Sequence, residues 1–420
     1  MKMAHRLAIA TMCAALAGCA SHTTSALAPV PAPNMLQPTA HGSGPQVIQT
    51  TSGSYIRACG AQASPLQMRC YALARPALFD GRELIGKSSG FYAPADLQSM
   101  YKLPSATRGK KSTVAIVDAY DDPNLESDLA VYRSNYGLPA CTTANGCFQK
   151  LNQSGQPGPY PSADSSWAFE LSVDVDMVSA ICPNCHITVI EANDSYLNDL
   201  ASGVDEAVTL GDHVISTSWG GGEFNGETGY DYYFNNPGYM ITVAAGDGAY
   251  VAATQYPAVV PWITAVGGTT PVTSKNTRGW SESVWYFPQN NPQQGTGSGC
   301  SIYETGRKQS WQHDTGCASR MANDVAAVAD SVAGYDTYGA SGWYYFFGTS
   351  VSSPVVAGVY ALAGNAATLN YAEQSYLKPA GMWDIKAGTN GTCTTTYFCK
   401  AGPGYDGPTG NGTPHGIAAF

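Results

Sequence analysis

The sequence predicts an α/β protein with a doubly wound, mostly parallel central sheet flanked by helices. Short apolar runs of strand length recur at Thr113–Asp118, Ile187–Ile190, Val214–Ser218, Met240–Ala245 and Trp262–Val266. Helical stretches near 124–136, 167–181 and 195–209 separate them, and strands alternating with helices in this way make a parallel sheet covered on both faces. Pro94-Ala95-Asp96-Leu97 opens an earlier helix, with proline where its missing N–H is no loss.

A chain of 420 residues with 12% charged and 44% hydrophobic side chains suits one large globular domain and excludes a disordered polymer. A net charge of −10 and a pI near 5.1 argue against nucleic acid or anionic lipid as partner, since neither is attracted to an acidic surface. Acidity alone names no substrate.

Lys2, His5 and Arg6 precede the apolar run Leu7 to Leu16, too short to span a bilayer and patterned as a signal peptide, so export is expected. Its end, Leu16-Ala17-Gly18-Cys19, resembles the lipobox of bacterial lipoproteins and makes Cys19 the expected lipidation site; ordinary cleavage after Ala17 or Ala20 is the alternative. The expected organisation is a leader over 1–19, a flexible tether over 20–50 rich in Ser, Thr, Pro, Ala and Gly, a short N-terminal segment over 51–90, and the main domain over 91–420.

Twelve cysteines in an exported chain point to disulfides. With Cys13 and Cys19 set aside, the other ten fall into close neighbours: Cys59 with Cys70, Cys141 with Cys147, Cys182 with Cys185, Cys300 with Cys317, and Cys393 with Cys399. Cys182-Pro-Asn-Cys185-His186 has two other readings, a redox pair or part of a zinc site, but no second Cys/His cluster lies near it.

Three stretches carry candidate chemistry. Phe347-Gly348-Thr349-Ser350 runs into an apolar helix in which Ala357, Gly358 and Ala361 permit close packing, and Pro354 is expected in the first turn. Ser350 is either an ordinary cap or a nucleophile beside helix-terminal N–H groups able to steady an oxyanion. In the helix over 167–181, Glu170 and Asp174 stand at i and i+4, either a solvated acidic face or a pair that shares a proton. Asp247 follows the apolar run Met240–Ala245, either in a plain Asp-Gly turn or at the carboxyl end of a strand, where such sheets place ligands.

Together and in this order the motifs resemble the sedolisin family, the serine-carboxyl peptidases on a subtilisin-like core, and the resemblance covers about residues 90 to 420. It implies a subtilisin-like fold in which Ser350 attacks the peptide carbonyl, Glu170 held by Asp174 takes its proton, and Asp247 completes the oxyanion hole. It further implies an acyl-enzyme, acidic working pH and protein or peptide substrates. Ser218-Trp219-Gly220 resembles the strand along which substrate backbone pairs. Asp384, Ile385, Gly402, Gly404 and Asp406 look like the family's calcium site, for one structural ion. A monomer is expected.

Two other readings stay open. A histidine-based subtilisin would use Asp118 at the end of the first strand, yet none of His41, His186, His213, His313 or His415 lies in the required H-G-T-x-x-A-G helix. Asp118 is then a structural carboxylate or an extension of the acidic network. The second reading is an inactive surface lipoprotein that keeps the fold for binding. One departure from the family is plain: only about 70 residues lie between the leader and the first helix of the main domain, too few for the usual folded prodomain.

Overall fold

The computed structural model describes residues 45–50, 53–76, 91–250, 254–290 and 293–420. The leader, most of the tether, Cys13, Cys19 and His41 lie outside the described residues.

In chain order the strands that matter are β1 (Gln46–Thr50), β2 (Gly53–Arg57), β3 (Arg69–Cys70), β4 (Leu73–Pro76), β5 (Thr113–Ala119), β6 (Phe148–Asn152), β7 (His186–Ala192), β8 (Val214–Thr217), β9 (Trp219–Gly222), β10 (Met240–Ala244), β11 (Gln255–Tyr256), β12 (Thr264–Thr273) and β13 (Trp280–Val284). The helices are α1 (Pro94–Met100), α2 (Leu125–Asn135), α3 (Ser165–Ile181), α4 (Leu197–Leu210) and α5 (Thr349–Ala363). The central sheet runs β13-β12-β10-β8-β5-β7-β6, with the strand Val325–Val328 also on β12. Every pairing in it is parallel except β12 with β13. The expected fold class is therefore present, and each apolar run named above becomes a strand, four of them within two residues of the expected limits; the run Trp262–Val266 instead starts at Thr264 and continues seven residues further, to Thr273, where it pairs with β13.

Successive strand residues face opposite ways, and β5 uses this to meet a helix on each face. A methyl on Gly203 of α4 would lie 2.7 Å from the Val117 side chain, whereas the next residue, Asp118, acts electrostatically on Asp174 of α3. Helices α3 and α5 pack together: a methyl on Gly358 would sit 2.7 Å from Ile181, so the small residues of α5 do allow the close approach their spacing predicts. All 17 residues of α3 are buried, which removes the reading of Glu170 and Asp174 as a solvated face. The substitution Gly358→Leu is expected to force these helices apart, with destabilisation of about 3 kcal/mol read as a lower urea midpoint.

One expectation needs correction. Pro354 is not in the first turn of α5 but six residues in, because the helix starts at Thr349, where Gly348 at φ 115° turns the chain out of the strand Gly342–Phe347. The ring leaves the Ser350 carbonyl without the helical N–H it would otherwise accept. The segment before residue 91 pairs with the chain that follows it. β1, β2 and β4 join the strands Gly342–Phe347 and Val332–Asp336 in one antiparallel sheet, so residues 45–76 are built into the main domain.

Candidate active site

Helix α3 begins at an Asp164 cap, whose Oδ1 accepts from the Ser166 and Trp167 N–H groups at 2.9 and 3.2 Å. That start phases the helix so that Glu170 and Asp174 both face β5 and α5. The Ser218 hydroxyl donates to Asp174 Oδ1 at 2.8 Å, while Asp174 Oδ2 and both oxygens of Asp118 are buried without a hydrogen-bond partner. Burial pushes Asp118 and Asp174 well above the usual carboxylate range, with the charge of Asp174 adding to it at Asp118 and that of Glu170 at Asp174. Asp118 thus extends the acidic network.

Glu170 is fully buried. Its Oε2 accepts from the backbone N–H groups of Tyr71 and Ala72 at 2.9 and 2.6 Å. Burial lifts its pKa to about 8; hydrogen bonding from the Ser350 hydroxyl is the leading influence in the other direction, ahead of the two backbone donors. Glu170 Oε1 has no full hydrogen bond, and the Ser350 hydroxyl reaches only weakly to the Ser218 carbonyl, at 3.5 Å. A proton acceptor and a hydroxyl therefore face each other with neither committed elsewhere. Such looseness is ordinary before a substrate tightens the geometry.

Asp247 approaches from the carboxyl end of β10. Its Oδ1 accepts from the Thr349 N–H and hydroxyl, each at 2.8 Å, and its Oδ2 is buried and unpartnered. Burial pushes its pKa to about 7, against the pull of the Thr349 donors and of Arg69 and Arg57. A protonated Oδ2 would be a hydrogen-bond donor aimed beside the α5 N-terminus. Gly348 is what permits the approach, since a methyl there would stand 2.5 Å from Asp247 Oδ2. Gly348→Ala, strained at its positive φ as well, is expected to lower activity at least tenfold and melting temperature by several degrees, measured on peptide cleavage and by calorimetry.

The structure thus brings Ser350, Glu170, Asp174 and Asp247 together, with Asp118 added. None of the charged groups acting on the four carboxyls is a histidine. His213 instead bonds the Gly238 carbonyl and His415 stacks on Trp383. Ser218-Trp219-Gly220 lies alongside, but the Trp219 side chain is framework: it is wholly buried and donates to the Val117 carbonyl. Only the backbone edge of β9 faces the cleft, and β3 and β11 pair with it antiparallel. Sequence reasoning missed Thr349 as the anchor of Asp247, and Tyr71 and Ala72 as partners of Glu170. Nothing in the two residues between β3 and β4, about 100 positions away, signals that contact.

At the far end of the chain, Asp384 accepts from the Gly404 N–H and Asp406 from the Gly402 N–H, at 3.1 and 3.0 Å. Ile385 packs against Val284 and Ala401. Burial raises the Asp406 pKa to about 7, with the nearby Asp384 charge adding to it. All ten cysteines of the predicted pairs are joined as disulfides in that pairing, including Cys182 with Cys185, whose bonded sulfurs are not the thiolates a zinc site needs and whose burial closes them to a redox partner.

Comparison with known proteins bears on the same residues. Kumamolisin of a Bacillus species is 27% identical over 359 residues, 78% of this chain and 62% of its own length. Sedolisin of a Pseudomonas species is 25% identical over 354 residues, 76% of this chain and 59% of its own length. The chain therefore spans about three-fifths of these relatives. A solved Pseudomonas sedolisin, described as a serine-carboxyl proteinase complexed with two molecules of pseudo-iodotyrostatin, covers 77% of this chain and 95% of its own, at 24% identity and a TM-score of 0.66. That likeness establishes the subtilisin-like fold. The model of the subtilase family matches residues 164–386, more than half of the sequence and the span from the α3 cap past the Ser350 helix, and so the chain belongs to the subtilase family, within which it groups with the sedolisins.

Proposed function

We propose that the chain is an exported endopeptidase that hydrolyses protein or peptide substrates at acidic pH by a Ser–Glu–Asp mechanism. The observation that carries this reading is a serine hydroxyl set against a buried glutamate whose neighbours are carboxyls, with no histidine among them. As Ser350 Oγ bonds to the peptide carbonyl carbon, its proton passes to Glu170, which Asp174 holds through their shared network. Asp247 Oδ2 and the backbone N–H groups at the start of α5 take the negative charge on the carbonyl oxygen. Glu170 then gives the proton to the leaving nitrogen, and water repeats the steps on the acyl-enzyme.

Glu170 must be ionised and Asp247 protonated, so activity has a rising and a falling limb. Values of about 8 and about 7 belong to the dry, filled cleft. Burial is the main cause of both, so work at acidic pH requires that water reach the cleft and lower both, Glu170 below the working pH. The test is casein cleavage at acidic pH with and without Ser350→Ala. Loss of cleavage in the variant supports the peptidase; indifference to it, or no cleavage by either form, supports the inactive binding module.

Export through the leader and anchoring through Cys19 belong to the same reading. So does one structural calcium ion. Among the described residues no cluster of three or more ligating side chains exists, so Asp384 and Asp406 would hold the ion with carbonyls of Ile385, Gly402 and Gly404. The fit is partial: two carboxylates repel there, and the competing cation, Lys386 at 3.4 Å from Asp384 Oδ2, is largely exposed and able to swing away, but the Asp384 and Asp406 oxygens also accept from the Gly404, Gly402 and Thr409 N–H groups and would share those lone pairs with the ion. Chelation is expected to lower the melting temperature, equivalent to about 3 kcal/mol at saturating calcium, and Asp406→Asn to abolish that dependence.

A further inference from the structure

A second cavity, of about 430 Å³, shares no residue with the catalytic cleft. Trp311, Asp314, Tyr376, Tyr397, Tyr405 and Asn411 line it, and the exposed His313 and Thr315 stand at its rim. Its size falls within the range of small-ligand sites, about 300–1,000 Å³. Two disulfide-closed segments form its lips. Cys300–Cys317 staples the hairpin of strands Cys300–Thr305 and Ser319–Met321, whose loop carries Trp311 to Thr315, and Cys393–Cys399 closes the turn Thr396–Phe398 that carries Tyr397. The two lips touch: a methyl on Gly316 would lie 2.7 Å from the Tyr397 ring.

The tyrosines offer ring carbons to this space, because their hydroxyls are spent on the framework. Tyr376 donates to Asp324 Oδ1 at 2.7 Å, Tyr405 to the Asn323 carbonyl at 3.0 Å and Tyr397 to Asp314 Oδ2 at 2.7 Å. Tyr376 and Tyr405 also stack on each other, centroids 5.8 Å apart, and the buried Gln312 Nε2 donates to both hydroxyls. Charge is balanced. Asp314 Oδ1 meets Lys308 Nζ at 2.9 Å, so no unpaired buried ion is left in the wall to select a charged ligand. What remains is neutral and of both kinds. Asn411 spends Nδ2 on the Asp324 carbonyl and Ser375 Oγ, at 3.1 and 3.2 Å, and keeps Oδ1 to accept. Trp311 is only 7% exposed, yet its Nε1 has no acceptor among the described residues and is not sealed off, so it is free to donate.

We propose that this cavity is a saccharide-binding site for a neutral pyranose with equatorial hydroxyls, the unit of β-linked glucose and N-acetylglucosamine chains. Such a ring has a flat face of C–H groups, slightly positive, that packs on the negative faces of tyrosine and tryptophan rings. Its edge carries hydroxyls that both give and take hydrogen bonds, which matches the Trp311 donor, the Asn411 acceptor and the Thr315 hydroxyl. A proline-rich peptide also packs on aromatic rings, but proline has no N–H to give and would leave Asn411 Oδ1 unmet. The inference does not depend on the peptidase reading; joined to it, the cavity seats the enzyme on a carbohydrate-bearing surface.

The experiment titrates cellotetraose and chitotetraose into the full Ser350→Ala chain by calorimetry at acidic pH, with a polyproline decamer as the comparison. At least one sugar is expected to bind with Kd on the order of 0.1–1 mM. That affinity should hold within about twofold between about 0.05 and 0.5 M salt, as befits a neutral ligand. Trp311→Leu is expected to weaken binding at least about tenfold, and so is Thr315→Arg, a change at the exposed rim that fills the mouth without disturbing the interior, with melting curves confirming that both are folded. Retention on powdered cellulose or chitin would identify a polysaccharide as the source of the sugar, and retention on immobilised ovalbumin alone a protein-borne glycan. No binding of either sugar up to about 10 mM, binding that both variants leave unchanged, or binding of the polyproline peptide alone overturns the inference.

Discussion

Glu170→Gln is expected to reduce kcat/KM for peptide cleavage by about 10^3- to 10^4-fold, close to the loss from Ser350→Ala. The substitution keeps the shape of a side chain buried in α3 but removes the site that accepts the serine proton. Because the two residues act in one proton transfer, the double variant should be little worse than either single one. Kinetics on a fluorogenic peptide decide it. Retention of activity within about tenfold would mean that another group takes the proton, and Asp118, the remaining unpartnered carboxyl of the network, would be the next residue to change.

The Ser350→Ala chain, which cannot digest itself, is expected to melt about 10 °C higher near pH 5 than near pH 8. Burial raises the pKa of Glu170 to about 8 and of Asp247 and Asp336 to about 7, and lifts Asp118, Asp174 and Asp176 well above their ordinary value. Each of these carboxyls binds its proton more tightly in the folded state than in the unfolded one. Their stabilisation is fully present below the unfolded pKa of about 4 and is lost as pH rises through the folded values. Calorimetry across this range reads it directly. A melting temperature that climbs with pH would show that these carboxyls are ionised and paired, contrary to the arrangement described.

Much of this was legible in the residues because the relevant signals are local. The i, i+4 spacing of Glu170 and Asp174, the strand that ends before Asp247 and the small residues after Ser350 each rest on contiguous sequence whose periodicity dictates which way side chains point. What the spacing left undecided was burial: an acidic pair on a helix reads the same whether it faces water or β5, and only tertiary packing around α3 resolved it. Pro354 was misplaced by a turn because the helix start depends on the positive φ of Gly348 and on Asp247 capping Thr349 from 102 residues away. The N-terminal segment was the least legible. β3 is two residues long, its partner β9 lies about 150 positions downstream, and no pattern in Arg69-Cys70-Tyr71-Ala72 announces that its backbone satisfies Glu170.

The most direct test of the claim that carboxyls alone drive the chemistry is the pH dependence of kcat/KM for the purified protein, with Ser350→Ala as the blank. The account predicts a bell with its maximum well below about pH 7, rising as Glu170 ionises and falling as Asp247 gives up the proton it must donate. A profile that peaks at neutral or alkaline pH, as a histidine base would produce, would contradict it.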